Sequence, residues 1–202
     1  DGAGMRGDDL LLVALDFERG DFGSRAWHDA VVDDDRRTVL GLAEVEAFAA
    51  ANYVPMTFLS FERARDADAM PSAPEEARPA GEARTWVLED GGDLLPTMGV
   101  TLAEGRLLGP SDAAASPPRA VVTAALARAV FGEGPAVGRR LRTSNRAPPV
   151  EIVGVVESLR VAAGAAPEPR NAIFIGADGW LARRLQYVVR ARPGRASEAI
   201  AS

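Results

Sequence analysis

The chain has 202 residues, 47% of them apolar and 6% aromatic, with a formal net charge of −6 and a pI near 4.9. Such a length buries a real core, as one domain or two small ones, and the acidic balance argues against a nucleic-acid binder, which needs a basic face. There is no cysteine and no lysine, all 23 basic residues being arginine, which excludes thiol nucleophiles, thiolate metal sites, disulfides, Schiff bases and a Walker-type phosphate loop.

Leu10 to Phe17 reads as a buried strand, introduced by Asp8-Asp9 and ended by Arg19-Gly20-Asp21. From Ser24, a plausible N-cap, to Leu42 the spacing of Trp27, Val31, Val32, Val39 and Leu40 predicts a helix. Its His28 is the one histidine. With no glycine-flanked nucleophile elbow to serve, an exposed helical histidine is the expectation there. Asp33-Asp34-Asp35 lacks the alternating ligands and glycine turn of a calcium loop and reads as a solvated helix face, with Arg36 and Arg37 beside it.

Val45–Ala49 and Tyr53–Phe58 suggest a long extended segment. Residues 63–83, rich in Pro, Ala and charge with no periodic apolar face, read as a mobile linker. Thr85–Leu88 follows as a strand, 93–98 as a short helix or turn, Arg119–Thr123 as a strand, and Thr123 as the cap of a helix to about Phe131. Strands are expected near 139–143 and 150–156, a half-buried strand over Gln186–Arg190, and a helix from Arg195. No run reaches the roughly 18 apolar residues that span a bilayer and no leader pattern opens the chain. A soluble piece of a longer protein is therefore expected.

Two glycine-bearing stretches invite ligand readings. In Gly99–Arg106, Gly99 suits the end of a turn, Gly105 a tight approach to Arg106, and Arg106 with Asp112 a charge-assisted pair that fixes a loop. In Gly132–Gly138 the glycines follow a helix and open a strand, the reverse of a dinucleotide fingerprint, so a C-cap and turn are expected.

The ordered combination of Met98-Gly99-Val100, Glu104-Gly105-Arg106 with Asp112 beyond, the strand and alanine-rich helix from Arg119, and Ile152–Val156 resembles the extracytoplasmic core domain of MacB-type and FtsX-like ABC transporter permeases. The match covers about residues 86–190 well and the first 60 loosely. The resemblance implies an α+β (mixed α/β) fold of two subdomains. Residues 1–62 and 148–202 would form a sheet-and-helix base, joined by the linker 63–83 to an inserted subdomain at 84–147.

It further implies a periplasmic domain of an inner-membrane protein that is not an enzyme and holds no cofactor or metal. Its partners would be the parent permease's membrane helices, a cytoplasmic ATPase that hydrolyses the ATP, and an adaptor or lipoprotein. The isolated domain would be a monomer and the full transporter a dimer. Gly99, Gly105, Arg106, Asp112, Gly138, Gly154 and Val155 would be structural motif residues. The domain would receive helix movement and couple it to handling of a substrate or partner, with 64–83 or the 84–145 block carrying specificity. The rival is a passive module that captures a lipid, peptide or lipoprotein in a cleft between its halves.

Overall fold

The structure, a computed structural model, describes residues 7–16, 25–51, 54–55, 65–72, 82–144, 146–157, 159, 171–177 and 184–201. The strands are β1 Leu10–Asp16, β2 Val45–Ala51, β3 Arg65–Pro71, β4 Ala83–Asp90, β5 Leu102–Gly105, β6 Arg119–Thr123, β7 Arg140–Arg142, β8 Val150–Val156, β9 Ala172–Gly176 and β10 Arg184–Ala191. The helices are α1 Arg25–Leu40, α2 Leu94–Met98, α3 Ala124–Phe131 and α4 Ala196–Ala201, with a 3-10 turn at Pro110–Asp112.

The strands divide into a three-stranded sheet, ordered β1-β10-β2, and a seven-stranded sheet, ordered β5-β8-β6-β9-β4-β3-β7. The small sheet is antiparallel throughout. The large one is mixed, with β4–β9 and β6–β8 parallel. β7 pairs with β3 on one side and β8 on the other, so six strands close into a ring.

Three cores arise from side-chain alternation. On β10, Leu185, Tyr187 and Val189 face α1 and pack with Val32, Val45 and Phe48. Val188 points the other way, with Ala49 and Ala51 of β2, into a second core. That middle core also takes Leu94, Leu95 and Met98 of α2 together with Leu88, Val121, Ala172 and Phe174 of the large sheet. The opposite faces of the same strands supply Val87, Ala120, Val122 and Ile173, which pack against Leu126, Val130 and Phe131 of α3. The order of layers is thus α1, small sheet, α2, large sheet, α3.

Several expectations change. Residues 63–83 are not simply a linker, because 65–71 form β3, hydrogen-bonded to β4 and β7. Ala67 and Ala69 pack at the α3-side core, and alternation of alanine with charge is too weak a pattern to announce a strand. β8 and β9 join the large sheet rather than pairing with the first 62 residues. Among the described residues of the expected second half of the base, β10 and α4 lie with β1 and β2. Strands β5 and β9 add to those expected.

His28 is buried, at 1% exposure, not solvated. It lies one helical turn before Val32, on the side of α1 that covers the small sheet. The Trp27 ring meets it edge-on, with ring centroids 5.2 Å apart. Asp34 pairs with Arg37 at the surface at 3.2 Å, whereas Asp35 accepts a 2.6 Å hydrogen bond from the Tyr187 hydroxyl of β10. The expected Ser24 cap, the 17–21 strand end and the 53–58 extension, apart from residues 54–55, lie outside the described residues.

Deleting residues 65–72 removes the strand between β4 and β7 and opens the ring. The expected result is loss of a cooperative thermal transition by circular dichroism, whereas a dispensable linker would leave the transition in place.

Candidate functional site

The site is the joint between the two sheets. Its centre is α2, a helix of five residues, too short to persist without tertiary support. Its support comes from both sides. Leu94, Leu95, Thr97 and Met98 are all buried, and burying each large apolar side chain contributes about 1.5–3 kcal/mol.

The entrance to α2 is fixed by Asp90 at the end of β4. Its Oδ1 accepts hydrogen bonds from the backbone N–H of Gly92 at 2.7 Å and of Leu94 at 3.2 Å. The exit is closed by Gly99 in the left-handed region, φ 64°, where a residue without Cβ carries no strain.

Two arginines of the small-sheet layer reach the same helix. Arg36 of α1 donates to the Asp93 carboxylate at 2.5 Å, with both side chains about one-third exposed. Arg190 of β10 is buried; its Nε donates to the Thr97 carbonyl at 2.7 Å and its Nη1 to the Asp8 carbonyl at 3.1 Å.

On the large sheet the loop after β5 is held by Asp112. Arg106 grips this carboxylate with two bonds, Nη1–Oδ2 at 2.5 Å and Nη2–Oδ1 at 2.8 Å. Arg119 adds Nη1–Oδ1 at 2.7 Å, and the Gly109 N–H donates to Oδ2 at 2.9 Å. The Asp112 side chain is fully buried while the two guanidiniums are half-exposed.

Arg106 foremost, then Arg119 and the Gly109 amide, hold the Asp112 carboxyl far below the usual carboxylate range, against the opposing push of burial. Asp112 therefore contributes stability that is full above the ordinary carboxylate pKa of about 4 and is lost as pH falls through its folded value.

The sequence-picked residues fall around this loop. Gly105 and Gly154 sit opposite each other in the β5–β8 pairing. A Cβ on Gly154 would lie 2.0 Å from the Arg106 carbonyl oxygen, and one on Gly105 2.2 Å from that of Val153. Glycines here let the chain cross close enough to deliver Arg106 to Asp112.

Gly138 donates its N–H to the Ile152 carbonyl at 2.8 Å and leads into β7, and the Glu104 carboxylate accepts from the neighbouring Val137 N–H at 3.3 Å. Val155 faces the α3-side core. Gly99 stands apart, on α2. Thr123 has two jobs: its hydroxyl oxygen accepts from Leu126 N–H at the start of α3 and from Ala172 N–H of β9.

Sequence reasoning missed Asp90, Asp93, Arg36, Arg190 and Arg119. Asp90-Gly91-Gly92 carries a local signal, an aspartate two residues before a glycine. Arg36 and Arg190 carry none, since their partners lie 57 and 93 residues away, whereas Arg119 is only seven residues from Asp112.

Residues 6–202 match the family described as the MacB-like periplasmic core domain. The chain belongs to this family. It is the MacB-like periplasmic domain of an ABC transporter permease, and among its described residues no helix is long and apolar enough to cross a membrane. No curated protein matches it.

The fold of this MacB-like domain is similar to that of the periplasmic region of MacB from Actinobacillus actinomycetemcomitans, at 13% identity and a TM-score of 0.54 over 96% of this chain and 81% of that one. A second similar structure is the extracellular domain of the noncanonic ABC-type transporter YknZ from Gram-positive bacteria, at 12% identity and a TM-score of 0.49 over 83% and 76% of the two chains.

Asp112→Asn in the MacB-like domain is expected to cost about 1–3 kcal/mol at neutral pH, the range for a hydrogen-bonded charge that loses its ionic partners. Urea denaturation should show the gap to the unaltered chain narrowing as pH falls below about 4. Equal stability of the two at neutral pH would mean that Asp112 does not anchor the loop.

Proposed function

We propose that this domain receives ATP-driven movement of the permease's membrane helices through its small sheet and passes it across the α2 joint to the large sheet. The observation that carries this reading is the placement of the first and last strands in chain order. β1 and β10 are neighbours, with Leu10 opposite Arg190, and the chain on both flanks is tied to this corner. The Ala191 N–H donates to the Asp9 carbonyl at 2.8 Å, the Gly194 N–H to the Asp9 carboxylate at 3.0 Å, and the Arg192 N–H to the Glu44 carbonyl at 2.7 Å. Membrane helices attached before β1 and after β10 load the small sheet first.

From there the coupling is mechanical. A close-packed core transmits displacement because its side chains have no free volume to absorb it. The middle core joins the two sheets through such packing, reinforced by the Arg36–Asp93 and Arg190–Thr97 contacts. Among the described residues the close packing of Leu94, Leu95 and Met98 at α2 supports transmission over passive capture in a cleft between halves. An open groove of about 440 Å³, lined in part by Ala67, Val87, Thr143, Ser144, Val150 and Ile175, lies instead on the α3 side of the large sheet.

In this reading ATP is hydrolysed by a separate cytoplasmic subunit or domain. The full permease works as a dimer in the inner membrane, with this domain in the periplasm, while the isolated domain is a monomer. The large sheet meets the adaptor, lipoprotein or exported substrate.

Met98→Ala, in the joint, and Val130→Ala, on α3, both open a buried cavity, costing about 1–5 kcal/mol. In the complete transporter Met98→Ala is expected to lower ATP-driven transport several-fold more than an α3-side variant of matched stability. Equal transport in the stability-matched pair would rule out the joint as the coupling element.

A further inference from the structure

Asp90 is a buried carboxylate that the transmission reading does not use. Its residue exposure is 0%, and its two oxygens are treated unequally. Oδ1 accepts both backbone N–H groups at the entrance to α2, while Oδ2 is buried with no hydrogen-bond partner among the described residues. A fully ionised carboxylate carries about four acceptor sites and needs them filled when removed from water. Ionising Asp90 therefore places an uncompensated charge on a buried, unpartnered oxygen, whereas a proton on Oδ2 leaves only a neutral O–H there, which costs far less to bury.

Among the described residues no cation offsets a charge at this point. Asp93, at the start of α2, opposes ionisation further and is engaged by Arg36. In the adjoining loop Gly92 lies against the Gly109–Pro110 backbone, where the ionisable group is Asp112, already held by Arg106 and Arg119. β9 places Gly176 opposite Asp90 and follows it with Ala177, neither ionisable. On β4 the neighbouring Glu89 is exposed. At the far end of α2, Arg190 from β10 is committed to the Thr97 and Asp8 carbonyls, and β2 contributes the alanines Ala49 and Ala51 to the core around α2.

We propose that Asp90 is a proton-operated latch on the joint: with a proton on Oδ2 its carboxyl closes the β4–α2 corner, and loss of that proton loosens α2 from the large sheet. The latch belongs to the joint itself and operates whether or not force passes through it.

Burial pushes the Asp90 carboxyl up from its ordinary value, and the N–H groups of Gly92, Leu94 and Leu95 offset this only in part. A raised pKa in the folded state means that the native chain binds this proton more tightly than the unfolded one. Its stabilising contribution is complete below the ordinary carboxylate pKa and is lost as pH rises through the raised value. Asp112 has the opposite sign, so the joint has an acid-strengthened side and an acid-weakened side.

The test uses the 202-residue chain with carbon-13-labelled aspartate carboxyls, followed by NMR across pH, with Asp90→Asn identifying the Asp90 resonance. The expected result is a titration above the ordinary aspartate range. Amide exchange, corrected for its intrinsic pH dependence, should show protection at Leu94, Leu95, Thr97 and Met98 falling up to about tenfold per pH unit above that midpoint. Protection at Val121 and Val122 of β6 should stay flat. In Asp90→Asn, α2 should stay protected throughout.

A titration at or below the ordinary range, unchanged α2 protection through the midpoint, or the same pH dependence in Asp90→Asn would each overturn the proposal. If Asp90→Asn does not fold, the unaltered chain decides alone. A raised carboxyl titration and the loss of α2 protection must then share one midpoint.

Discussion

The structure depends on a single packed layer, the middle core in which α2 lies between the two sheets. Among the described residues neither sheet has another surface of this kind to offer its partner. The outer face of the small sheet is taken by α1, and the α3-side face of the large sheet by α3. Leu94, Leu95 and Met98 therefore lie where one half of the molecule packs on the other. The alanines of β2 matter for the same reason. Ala49 and Ala51 are completely buried, and their small side chains leave room for α2 where larger ones would overpack the core.

Electrostatics refine this arrangement rather than create it. Arg36 and Arg190 fasten α2 to the small-sheet layer at its two ends, by a side-chain ion pair and by a bond to a backbone carbonyl. Arg106 and Arg119 secure the loop that supports the other side. The two buried carboxylates differ in what surrounds them. Asp112 faces two guanidiniums and stays ionised. Among the described residues Asp90 is buried without a cation and beside Asp93, and its backbone amides offset this only in part, so its proton is retained more readily. Local chemistry alone separates two side chains of the same type.

Much of the frame was legible in the sequence. Continuous apolar runs such as Leu10–Leu15 and Ile152–Val156 announced strands, and Thr123 announced the start of α3. Gly105, Arg106 and Asp112 declared a loop anchor from residue type and close spacing. β3 was illegible because Ala67 and Ala69 bury little apolar surface, and the charges between them resemble a linker. β8 was expected in the base sheet but lies in the large one, and β9 was not expected, since strand partners are set by the whole fold and not by local pattern. The joint escaped for a related reason. Asp93 and Arg36 are 57 residues apart, and Arg190 and Thr97 are 93 apart, distances at which no spacing rule operates.

The central claim is that the two sheets move as one body through α2. The most direct measurement is the spin-label distance between Leu12→Cys on β1 and Glu133→Cys beyond α3, taken in the complete transporter with and without nucleotide. The domain itself has no cysteine to compete for label. The account predicts one narrow distance distribution that nucleotide leaves in place and that broadens in Met98→Ala. A broad distribution in the unaltered joint, or a shift of several ångströms on nucleotide binding, would show that the sheets hinge independently and would contradict it.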